Sequence, residues 1–377
     1  MKFLPALAGA AGLVLIGVLV ARVGVGPVAA ALAAIGWPGF AAICLIHLGL
    51  IAVMGLAWWA LLPQARVWVM IWGRLVRDSA AEVLPLSQVG GFVLGARAAT
   101  LGGVTGSDAA ASTIVDVTLE LFAQLAYTAL GLLWLVHLRP QTTVAAPVAG
   151  GLAAAAILAA GFVAAQHRGF DLLGRLGRHI GQGWAERGAA GAAALHRVIG
   201  AIYRRRLGLW ASFALHFGCW LASAVEVWLA LRLAGAPLGF GAVLAIESLI
   251  YAARSIAFAV PNSLGVQEAA YLLLGAGFGL TPPLALALSL LKRARDLCIG
   301  VPALGAWQLA EGGRLWRRRS GGRVGCGTTA TAKPRPQPAG VSTVTTTTTT
   351  TTMPALREHT DKSIATGYYR GRRDAGR

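Results

Sequence analysis

Asp116 and Glu120 stand four residues apart in an apolar run, which puts both carboxylates on one helical face. A second apolar run is interrupted about halfway by Lys292, Arg293, Arg295 and Asp296. Arg97, Glu247, Arg254, Gln267 and Glu268 lie in or beside two further apolar segments. An ionisable group at the centre of a membrane span costs roughly 2.5–3.5 kcal/mol on insertion scales, so it faces a cavity or a partner. Acids from one half and bases from the other suit a polar cavity. In it Arg293 and Arg254 would hold an anionic headgroup, with Asp116 or Glu120 as counter-charge. The same residues also suit ion pairs that only lock helices together, and the sequence leaves both open. Lys292, Arg293 and Arg295 cannot all face one cavity, because successive helical residues turn by roughly 100°. Glu226, alone in its span, reads as structural or protonated.

These residues need a membrane-embedded frame. Of 377 residues, 56% are hydrophobic and 13% charged, against about 25% charged in soluble domains. No single soluble core hides that much apolar surface. The formal charge of +18 would mark a nucleic-acid binder in a soluble protein, but it is concentrated in two places. Residues 314–377 carry 13 Lys/Arg against 3 Asp/Glu, and residues 167–206 carry 8 Arg against Asp171 and Glu186. The rest holds 12 basic and 10 acidic residues. A near-neutral apolar body with basic segments is the pattern of a multi-pass membrane protein, and nucleic acid is not an expected partner.

The fold class expected is therefore all-α. Six stretches are long enough to span: roughly 3–21, 39–62, 109–136, 143–165, 207–231 and 282–309. Lys2 before an apolar run resembles a secretory signal, but no small-residue cleavage site follows, so the run reads as a span. The basic 167–206 loop and the cluster Arg314, Arg317, Arg318 and Arg319 define a cytoplasmic side. Lys2, Arg66, Arg74 and Arg77 then fall inside, Arg22, Arg139 and Arg232 outside, and both termini are cytoplasmic. Trp37, Trp58, Trp59, Trp68 and Trp72 sit near span ends, as interfacial belts do.

Two further segments, 67–99 and 238–279, are broken by Pro85 and Pro261. Each has a serine two residues after the proline, then glycine (Gly90 and Gly91; Gly265), then an apolar half-helix. The topology has them entering from opposite sides, as in the inverted repeats of transporters. The expected layout is a membrane domain over 1–315, with a first half of about 1–165, the 167–206 loop and a second half of 207–315. A disordered, Thr-rich basic tail covers 316–377.

Signals of other chemistry are lacking. Cys44, Cys219, Cys298 and Cys326 show no paired spacing, and the histidines form no metal motif; His47 and His216 read as core or interfacial residues. No G-x-S-x-G, P-loop or H-E-x-x-H motif occurs. No catalytic residue, cofactor or metal is assigned, and the chain is not read as an enzyme.

The run ESLIYAARSIAFAVPNSLGVQEAAYLLLGAGFGLTPPLALALSLLKRARDLCIGVPALGAWQ, with LPLSQVGGFVLGAR earlier, resembles the hopanoid-biosynthesis-associated membrane protein family HpnL. That family lies within the lysylphosphatidylglycerol synthase transmembrane, or flippase-like, superfamily. The resemblance covers about residues 1–315 and implies a bacterial inner-membrane protein that handles a lipid. The matching positions are Pro85, Gly90, Gly91 and Arg97, then Arg254, Pro261, Gly265, Gln267, Glu268, Arg293 and Asp296. Phe92 stands where many relatives carry an acid, and Val117 where an arginine often follows the span aspartate. The soluble aminoacyl-transfer domain of the synthases has no counterpart after Trp316.

The substrate-binding set expected is thus Arg97, Asp116, Glu120, Arg254, Gln267, Glu268, Arg293 and Asp296. The partners expected are membrane lipids, with a hopanoid or an anionic headgroup, and hopanoid-pathway enzymes. Three functions fit: a lipid translocase, a non-transporting accessory or scaffold protein, and a membrane-embedded lipid enzyme. A translocase requires both broken segments to line one cavity.

Overall fold

The structure, a computed structural model, describes residues 4–84, 87–177, 182–236, 238–257 and 260–321. All secondary structure among the described residues is helical. Two connected helices open the chain, α1 (Leu4–Val23) and α2 (Val25–Leu61). A hairpin of α3 (Val67–Val83) and α4 (Ser87–Leu101) follows, then α5 (Gly106–Leu138), α6 (Ala145–Gly177) and α7 (Gln182–Arg204). The remainder is α8 (Arg206–Leu233), α9 (Phe240–Ile256), a 3₁₀ turn at Pro261–Ser263, α10 (Val266–Gly277) and α11 (Pro282–Gly321).

Among the described residues, four helices are long and apolar enough to cross a bilayer: α2, α5, α6 over Ala145–Gln166, and α8. The other two expected spans differ. The first contributes a shorter apolar stretch, Ala10–Val23. The last, α11, is 40 residues long but carries Lys292, Arg293, Arg295 and Asp296, all of which find protein partners. The span expected from residue 39 begins at Val25. Its helix bends at Gly36, whose φ of +68° suits glycine, two residues before Pro38.

The two broken segments are both helix–break–helix units. Pro85 itself lies outside the described residues. Gly90 and Gly91 do not break the chain, since they lie inside α4. Gly91 instead lets the hairpin close, because a Cβ there would sit 2.6 Å from the carbonyl oxygen of Arg77. In the second segment the break is real. Asn262 and Ser263 have φ of 47° and 46°, and Gly265, at +81°, starts α10.

The α2–α5 unit repeats as α8–α11, and the packing is reciprocal. Helix α5 rests on α8 and α9, α11 rests on α2 and α3, and α2 packs against α8 at the centre. The core between the units joins Ile43 of α2, Val227 and Leu231 of α8, Ile250 of α9, Tyr271 of α10 and Leu288 of α11. Three crossings, by α2, α5 and α6, separate the start of α2 from the start of α8 when each hairpin returns to its side of entry. With those three as crossings the second unit would be inverted, the arrangement expected from the sequence.

The segment expected as a basic loop over 167–206 is mostly helix. Leu195, Ile199 and Ile202 of α7 share one face and pack on Leu61, Ala111 and Val115, at the ends of α2 and α5. Gln166 of α6 joins this contact, donating to Thr118 and accepting from Tyr203. Helix α11 also continues to Gly321, so residues 316–321 are helical where a tail was expected. The rest of that tail lies outside the described residues. Of the tryptophans expected in an interfacial belt, Trp37 and Trp68 are exposed, but Trp58 is fully buried and donates to Ser112.

Candidate functional site: a charged cavity between the halves

A cavity of about 350 Å³ lies between the two units, and both hairpins line it. The first hairpin contributes Arg74, Arg77, Asp78 and Glu82 of α3 and Phe92 of α4. The second contributes Tyr251 and Arg254 of α9, then Asn262 and Ser263 of the 3₁₀ turn. Glu120 of α5, Arg295 and Asp296 of α11, His47 of α2 and Trp220 of α8 complete the polar and aromatic wall.

The first-half charges form one network. Arg74 donates to Asp78 at 2.8 Å and to Glu120 at 2.6 Å. Arg77 donates to Asp116 at 2.6 Å and also to Glu120. His216 of α8 meets the other Asp116 oxygen at 2.9 Å. Both arginines are almost fully buried, and the Arg77 guanidinium lies 4.6 Å from the Phe92 ring centroid. Burying such ions is tolerated because each is paired and hydrogen-bonded.

A second network spans α2, α8 and α11. Arg295 donates to Asp296 at 2.7 Å and to Glu226. His47 Nδ1 lies 3.1 Å from Glu226, and its Nε2 lies 4.0 Å from Asp296. Glu226 is therefore structural in the sense expected, held by a cation and a histidine.

Between the networks, the tips of the two hairpins touch. Arg254 donates to both carboxylate oxygens of Glu82, at 2.7 and 3.0 Å. The Asn262 side chain donates to the Glu82 carbonyl at 2.7 Å.

Of the eight expected binding residues, Glu120, Arg254 and Asp296 line the cavity, and Asp116 sits directly behind Arg77. The other four do not join them. Glu268 reaches back to the Gly265 N–H at 2.8 Å, capping α10, and accepts from Arg293 at 2.5 Å. Gln267 donates to Ser289, which donates in turn to Glu268. These three residues fix the re-entrant helix to α11. Arg97 is half exposed and pairs with Glu311 at 2.6 Å. Arg293, expected to hold a headgroup together with Arg254, does not line the cavity; Arg74, Arg77, Arg254 and Arg295 do. Lys292 points a third way, to Glu247 at 2.7 Å.

Residues missed as site members were Asp78, Glu82 and His47, together with Arg74 and Arg77, which were read as cytoplasmic markers. Their spacing carried the signal: 74, 77, 78 and 82 recur at helical intervals of three and four on α3. Among the described residues, no three His, Cys, Asp or Glu side chains are grouped as metal ligands.

The cavity is thus walled by charged and aromatic residues from both hairpins. The model for the lysylphosphatidylglycerol synthase transmembrane region matches residues 6–303. The chain belongs to this family. No curated protein and no solved structure matches it. The family match covers every residue of the cavity wall and ends inside α11, before Glu311. Phe92 and Val117, the two positions that depart from the pattern of the resembled families, both line the cavity.

Proposed function

We propose that the protein is a flippase-like lipid translocase of the bacterial inner membrane, with both termini cytoplasmic and no catalytic step of its own. Its substrate class is a hopanoid lipid or a lipid with an anionic headgroup. The observation that carries this reading is the cavity whose walls come from both hairpins. In inverted-repeat transporters such a site between the halves opens alternately to the two sides of the membrane as one half rocks against the other. Arg254 is the anchor favoured here. It lies at the hairpin contact, and a headgroup oxygen would exchange with one oxygen of Glu82 as its acceptor. No nucleotide-binding motif is present in the sequence, so movement is downhill or driven by an ion gradient.

Leaflet-resolved exchange in liposomes, with a hopanoid and with phosphatidylglycerol as probes, tests the reading. Wild type accelerates exchange, and Arg254→Gln slows it about tenfold or more, as expected for losing one charge-assisted hydrogen bond. Exchange no faster than in empty liposomes overturns it.

A second reading, an accessory protein for membrane lipid enzymes, is favoured by the pairing of the buried charges. Arg74, Arg77, Lys292 and Arg295 all engage carboxylates. Pull-down of hopanoid-pathway enzymes without any exchange activity would favour it.

A further inference from the structure

The two charge networks are each one cation short. In the second-half network Arg295 alone faces two carboxylates, Glu226 and Asp296. In the first-half network Arg74 and Arg77 face three, Asp78, Asp116 and Glu120. A leftover negative charge in a low-dielectric site is costly. In both places the group that stands against the surplus is a histidine.

The two histidines differ in what their second nitrogen meets. His216 is fully buried, its Nε2 is engaged by Asp116, and its Nδ1 has no hydrogen-bond partner. Its contact with the network is therefore the single one to Asp116. His47 has a carboxylate on each side, Glu226 at 3.1 Å and Asp296 at 4.0 Å. Its side chain is 22% exposed and lines the cavity. A protonated ring there donates to Glu226 and stands within ion-pair distance of Asp296. Facing His47 from the neighbouring helices are Glu226 (α8), Arg295 and Asp296 (α11) and, across the cavity, Arg74 and Asp78 (α3) and Glu120 (α5).

We propose that His47 is a proton-binding site and that the cavity moves one proton with each anionic headgroup, in the same direction. This rests on the translocase reading. With His47 neutral, the Arg295–Glu226–Asp296 cluster carries a net negative charge and repels an anion. Uptake of a proton by the imidazole brings the cluster to zero and ties α2 to α8 and α11. An anion then enters beside Arg254 against one fewer negative charge. Proton and headgroup each favour the binding of the other, as linkage requires.

The test uses the full chain in liposomes of phosphatidylethanolamine and phosphatidylglycerol, with fluorescently tailed phosphatidylglycerol as probe and a pH dye inside. One pH unit across the bilayer, at one proton per lipid, drives the leaflet ratio of probe toward about tenfold. The probe should gather in the leaflet facing the alkaline side, and probe movement should carry protons. His47→Gln and His47→Arg, which fix the charge at zero and at one, should both hold the ratio at one. His137→Gln, at the exposed end of α5, should keep the wild-type ratio. Exchange in wild type that ignores the gradient and moves no protons overturns the proton site and leaves the translocase standing. Accumulation facing the acidic side also overturns it. Absence of exchange overturns both.

Discussion

Arg254 of α9 grips both carboxylate oxygens of Glu82 on α3, 172 residues away in sequence. This pair joins the tips of the two hairpins beside the cavity, and Asn262 reinforces it by donating to the Glu82 carbonyl. Both side chains are partly open to the cavity, so the pair is weaker than a fully buried one. Arg254→Gln or Glu82→Gln should each lower stability by about 1–3 kcal/mol. In a double-mutant cycle by thermal unfolding in detergent, the double variant should lose much less than the sum. Strict additivity would show that the hairpin tips are not coupled.

Asp116 is different in kind. It is fully buried, and it answers Arg77 on one oxygen and His216 on the other. Asp116→Ala removes one of the two carboxylates that hold Arg77 and leaves Glu120, so it should cost about 1.5–3 kcal/mol. His216→Ala, which removes a single contact with Asp116, should cost less. Melting temperatures of the purified variants check the order, and a reversed order would mean that His216, not Arg77, holds the carboxylate.

At the α5–α9 contact, Gly131 meets Ser248 so closely that a Cβ on the glycine would lie 1.6 Å from Ser248 Oγ and 2.5 Å from its Cβ. Gly131→Ala should therefore destabilise by roughly 1–3 kcal/mol through overpacking. Adding Ser248→Gly should restore most of the loss. A lone Gly131→Ala variant as stable as wild type would sink the close approach.

Topology is open to labelling. In a cysteine-free background, Thr143→Cys, on the exposed connection before α6, should react with an impermeant maleimide in intact cells. Ala193→Cys, on an exposed position of the Arg-rich α7, should react only after permeabilisation. Labelling of both from one side would remove α6 as a crossing, and with it the inversion of the second unit.

Composition and apolar run length sufficed to read an all-helical membrane protein with two broken segments, because hydrophobicity and helix-breaking residues act locally. Pro261, Ser263 and Gly265 likewise announced a break, and the backbone there adopts positive φ at Asn262, Ser263 and Gly265. The sequence also determined that the buried charges had to find partners or a cavity, since lipid offers them neither.

Which charges meet was decided by the tertiary structure alone. Lys292, Arg293 and Arg295 lie within four residues, yet they answer Glu247, Glu268 and Glu226 on three different helices. Helical periodicity says that neighbouring side chains diverge. The direction each one finds is set by α8, α9 and α10, which arrive from distant parts of the chain. For the same reason Arg74 and Arg77 read as surface markers in sequence and are core residues in the fold. Their acids, Asp116 and Glu120, reach them only when α5 packs across the hairpin.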